Sequence, residues 1–112
     1  MKPIKTKLTP DQIFALDKLM EQLPDYQPKK ELEKVTKSIL MDCEDKIHSR
    51  YRKILKSQDL FNKNKTVGLE LKYHEAFALT IFIELQLPTI PALEKTHNDL
   101  LMLRNYLHPK LI

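Results

Sequence analysis

Glycine occurs once in this 112-residue sequence, at Gly68, and no Asn-Gly or Asp-Gly pair is present. Tight hairpin turns need backbone at positive φ, which glycine adopts at least cost, so a sheet of many hairpin-linked strands is excluded. Phosphate loops and dinucleotide-binding turns need several glycines within a few residues, and they are excluded on the same ground. Cysteine also occurs once, at Cys43, which rules out an internal disulfide and a cysteine-based zinc cluster. The segment Met1-Lys2-Pro3-Ile4-Lys5-Thr6-Lys7 lacks the apolar stretch of a signal peptide. The longest apolar run, Ala76 to Leu87, is about half a membrane-spanning length and contains Glu84 and Gln86. A soluble, cytoplasmic protein is expected.

What is present is enough Leu, Ile and Phe to offset the entropy of ordering one small domain. These residues recur every third or fourth position, and prolines punctuate them. Thr9-Pro10-Asp11-Gln12 reads as a helix start, with Thr9 as cap, Pro10 in the first turn and Gln12 closing a capping box. Ile13, Leu16, Met20 and Leu23 follow, up to Pro24. Leu32, Val35, Ile39, Cys43, Ile47, Tyr51 and Ile54 form a second, longer row, and Leu93, Thr96, Leu100, Leu103 and Leu107 a last one. Residues 67–73 and 81–85 alternate with period two, but the intervening stretch His74 to Leu79 holds no turn former, so a hairpin is rejected in favour of a helix. The expected fold is all-α: an up-and-down antiparallel bundle of about four unequal helices, at roughly 10–23, 29–57, 69–87 and 90–107. Residues 1–8 are expected to be a mobile basic leader and residues 9–112 a single domain.

Charge is unevenly distributed. The net charge is +4, yet residues 46–65 carry Lys46, Arg50, Arg52, Lys53, Lys56, Lys63 and Lys65 against Asp59 alone, while residues 8–45 are net acidic. Such a cluster can neutralise phosphates, with Tyr51 or Phe61 available to stack on bases, so a nucleic acid or another polyanion is one candidate partner. The plainer account is that cations near the end of a helix are favoured by its dipole. The third helix is apolar on most sides, which places it either at the centre of the bundle or against a second chain. The leading expectation is therefore a non-enzymatic interaction module. It would self-associate as a homodimer, or bind a helical partner, through Ala78, Phe82, Ile83 and Leu85.

No cofactor or metal is expected. Glu94-Lys95-Thr96-His97 has the Glu-x-x-His spacing of di-metal bundles, but no second copy exists. Glu44/His48 and Glu70/His74 stand at a spacing common by chance, and Cys43 lies on an apolar row where a thiol acts as a small hydrophobe. At the C-terminus, Leu103-Arg104-Asn105-Tyr106-Leu107-His108 resembles the Arg-Asn…His signature of HEPN-family RNases, which are all-helical domains of about this size. That resemblance implies RNA cleavage in a cleft across a dimer, with Arg104, Asn105 and His108 as the matching positions. It ranks third, behind self-association and polyanion binding.

Overall fold

The computed structural model describes residues 3–57 and 66–111, except for the side chains of Lys56 and Ser57. Within them the chain forms strand β1 (Ile4–Leu8), helices α1 (Pro10–Glu21) and α2 (Glu31–Ser57), strand β2 (Val67–Leu71), and helices α3 (Tyr73–Gln86) and α4 (Lys95–Leu107). Short 3-10 turns follow α3 and α4. The result is a mostly α-helical bundle in which α1 and α3 each pack against both α2 and α4.

Helix α1 starts where its cap predicts. The Gln12 N–H donates to Thr9 Oγ1 at 3.2 Å, and the Thr9 N–H donates to Gln12 Oε1 at 3.0 Å. Helix α2, at 1.5 Å per residue, is about 40 Å long. Its inward row is Thr36, Leu40, Cys43, Ile47 and Ile54, whereas Leu32 and Val35 are left exposed, so the expected apolar row is rotated at its start. The Thr36 hydroxyl donates to the Leu32 carbonyl at 2.8 Å, which lets a polar residue sit inside. Helix α3 is apolar nearly all round because it is central: Ala76, Ala78, Leu79, Thr80, Phe82 and Ile83 are all buried. The Tyr26 ring closes over Phe82 edge-on at 5.3 Å between centroids. Helix α4 turns Leu100, Leu103 and Leu107 inward, but it begins at Lys95 rather than near 90, and Leu93 is fully exposed.

The largest departure from expectation is a two-stranded antiparallel sheet. Strand β1 pairs with β2 in the register Ile4–Leu71, Thr6–Leu69 and Leu8–Val67. Residues 4–8 are thus a strand rather than a mobile leader, and residues 69–71 are strand rather than the start of the third helix. The alternation in Val67–Leu71 does encode a strand, but its partner is the N-terminus and not residues 81–85, which are helical. No tight turn is required, because the body of the protein joins the two strands. Scarcity of glycine therefore never opposed this pairing. Thr6, Leu8, Leu69 and Leu71 face the helices and are buried, while Lys5, Lys7, Gly68 and Glu70 face outward.

One hydrophobic core joins the helices and the inner face of the sheet. Among the described residues, no helix is long and apolar enough to cross a membrane. Two outcomes follow from this packing. Leu8→Ala lowers stability by roughly 2–5 kcal/mol, read as a shift in urea midpoint at constant slope; a free leader would give no shift. Cys43 is buried, and its thiol is pushed up to about 11, chiefly by desolvation. It should resist a disulfide reagent at pH 8 in the folded protein and titrate fully in denaturant.

Candidate polyanion-binding face

The second half of α2 runs beside β2, and Lys46 fastens the two. Its Nζ donates to the Glu70 carbonyl at 3.1 Å and to Glu75 Oε1 at 3.0 Å, so one side chain ties α2 to β2 and α3. Burial works against ionisation of Glu75. The Lys72 N–H and the Lys46 ammonium outweigh it and hold that carboxyl below its usual range.

Arg50, one turn further along α2, is half-buried, and no ion pair among the described residues engages it. It forms a wall of three adjoining concavities. The largest, about 760 Å³, is lined by Pro3, Lys46, Leu71, Lys72, Tyr73 and His74, together with Glu70. A second, about 360 Å³, lies over the sheet between Lys5, Lys7 and Arg50, with Gly68 among its lining residues. A third, about 520 Å³, is lined by Asp45, His48, Ser49, Arg52 and Lys53. Across the three, seven Lys and Arg side chains face Glu70 and Asp45 alone among the carboxylates. Lys5 is 3.8 Å from Glu70, but both are exposed, so this pair offsets little of the positive potential.

Of the residues expected to form the basic cluster, Lys46, Arg50, Arg52 and Lys53 therefore share this face. Lys63 and Lys65 lie outside the described residues, as does Phe61, and the Lys56 side chain is likewise outside them. Tyr51, expected to be free for stacking, is occupied: its ring meets Phe14 edge-on at 5.1 Å and stacks on His48 at 5.9 Å. His48 in turn shares a 3.0 Å hydrogen bond with the nearly buried Asp17, which locks α1 to α2. Four contributors escaped the sequence reading: Lys5 and Lys7, carried in by β1, and Lys72 and Tyr73, carried in by the β2–α3 junction.

The other candidates are placed differently. Ala78, Phe82 and Ile83 are buried within the chain's own core, and of the expected interface only Leu85 remains exposed. The Arg104 Nε and Nη2 donate to Glu84 Oε1 at 2.8 and 2.7 Å, and Nη1 donates to Asn105 Oδ1 at 3.2 Å. His108 caps the end of α4, its backbone N–H donating to the Arg104 carbonyl. Glu94 precedes α4 as its N-cap, and His97 Nδ1 is 3.1 Å from the Ile90 carbonyl. Among the described residues, no three His, Cys, Asp or Glu side chains are grouped so as to hold a metal ion.

Compared with known protein families, curated proteins and solved structures, the chain matches none. Its function has to be read from its own geometry.

The position of Ile83 can be tested directly. Ile83→Glu buries an unpaired charge and should cost more than about 4 kcal/mol, with loss of the helical circular dichroism signal. A folded, dispersed Ile83→Glu protein would instead place that residue at an interface between chains.

Proposed function

We propose that this protein binds polyanions, and that its ligand is the sugar-phosphate backbone of a nucleic acid. The observation that carries the reading is the position of Arg50. It stands unpaired by any described carboxylate where the basic end of α2 meets the outward lysines of β1, and it walls three concavities at once. Dipole compensation at a helix end accounts for cations on α2. It does not account for Lys5 and Lys7, which come from another element and increase the same positive potential.

The apolar self-association expected from the sequence loses its main support, since three of its four residues are internal. The exposed apolar side chains that remain, such as Leu32, Val35, Phe77, Leu85 and Met102, are distributed over α2, α3 and α4. Single exposed apolar residues are ordinary on soluble proteins. The Arg104 guanidinium is engaged by Glu84 and Asn105, so polyanion binding is preferred to the RNase reading of Arg104, Asn105 and His108.

If Lys5, Lys7, Arg50, Arg52 and Lys53 each meet a phosphate, affinity falls with the logarithm of salt concentration with a slope of roughly −3.5 to −4.5. That is a loss of a few hundredfold between 50 and 200 mM salt. Fluorescence anisotropy with a labelled 20-nucleotide probe measures it. Arg50→Ala combined with Lys53→Ala should reduce the slope by about two. The reading is abandoned if no binding is detected at 20 mM salt, or if the double variant leaves the slope unchanged.

A further inference from the structure

The three concavities are not chemically alike. The two smaller ones are walled by flexible cations beside Glu70 or Asp45, and neither is lined by a proline or a tyrosine. The largest is walled on its apolar side by Pro3 and Tyr73, with Lys46, Arg50 and Lys72 contributing positive charge beside Glu70. Its volume of about 760 Å³ lies within the range of sites that enclose small organic ligands. A phosphate alone has no use for an apolar wall. A flat heteroaromatic group attached to a phosphate uses both parts.

Tyr73 is suited to hold such a group. Its hydroxyl donates to the Leu111 carbonyl at 2.6 Å, which anchors the far end of the ring in the turn after α4. The ring is half-buried, and that bond limits its rotation before any ligand arrives, so little side-chain entropy is lost on binding. Tyr51, which the sequence offered for stacking, is already packed between Phe14 and His48.

Resting on the polyanion reading above, we infer that this cleft between α2 and the β2–α3 junction takes one unpaired base of a single-stranded nucleic acid, stacked on Tyr73. Arg50 is common to all three concavities, so a strand whose base enters the cleft passes Arg50 on leaving it. The flanking phosphates then lie toward Lys5 and Lys7 on one side or Arg52 and Lys53 on the other. In a duplex the bases are stacked and paired within the helix, and only the phosphates would reach this face. Every base has a π-face, so the cleft selects strandedness rather than sequence.

The test compares four probes of wild-type protein at one salt concentration: a 12-nucleotide thymidine strand, a duplex of the same length, an abasic strand of equal charge, and thymidine 5′-monophosphate. The base-bearing strand should bind at least tenfold tighter than the abasic strand and tighter than the duplex. Tyr73→Ala should weaken it roughly five- to hundredfold while leaving the salt slope unchanged, and Tyr73→Phe, which keeps the ring but loses its bond to Leu111, should weaken it far less than Tyr73→Ala does. Equal affinity for the base-bearing and abasic strands overturns the inference without recourse to any variant, and leaves polyanion binding standing. So does a duplex that binds as well as the single strand, or a monophosphate that binds as tightly as the 12-nucleotide strand. Failure of every probe to bind at low salt removes the polyanion reading as well.

Discussion

The pairing of β1 with β2 is the constraint on which the rest of this molecule depends. It joins the N-terminus to the segment before α3 and encloses α1 and α2 in the loop between them. Closing a loop that long costs little more than closing a shorter one, since the entropy grows only with the logarithm of length. A two-stranded ribbon is marginal by itself, and its stability comes from the helices that cover Leu8, Leu69 and Leu71. In return the ribbon fixes the outward lysines of β1 beside Arg50 and gives Lys46 a backbone carbonyl to hold. Core and surface are thus built by the same five residue pairs.

What could be read in the sequence was what is encoded locally. The Thr9–Gln12 box, the long run of α2 and the Leu100, Leu103 and Leu107 row of α4 each depend on neighbours within a few positions. The helical character of the chain followed from them. The strands were missed because strand pairing is encoded at a distance. Ile4-Lys5-Thr6-Lys7-Leu8 alternates as cleanly as Val67–Leu71, but nothing within either segment names the other. Leu32, Val35 and Leu93 failed in another way. They fit the period of their helices, yet they lie at or before the ends of those helices, where no neighbouring element packs over them.

The residues of the proposed site divide along the same line. A run of cations on one helix shows in any charge map, and Lys46, Arg50, Arg52 and Lys53 were found that way. Tyr51 and Tyr73 could not be told apart in the sequence, since each is an aromatic residue near cations. Only packing distinguishes them: Phe14 and His48 occupy one, and a single hydrogen bond to Leu111 holds the other at the edge of a cleft. Helix α3 shows the converse. Its apolar circumference fitted either a central position or a shared interface, and packing against both α2 and α4 decides for the centre.

The sole glycine sits where backbone geometry asks nothing of it. Gly68 does not occupy the left-handed region, and an added Cβ would meet no atom within 4 Å. A strand interior is an unfavourable place for glycine, because freedom is lost with no side chain to pack. Its effect is on the surface opposite Lys7: the ribbon is bare there, and a ligand can approach the main chain itself. Any larger residue at 68 would stiffen the strand and raise the floor between the lysines and Arg50, so strand propensity and close approach of a ligand pull in opposite directions at this one position.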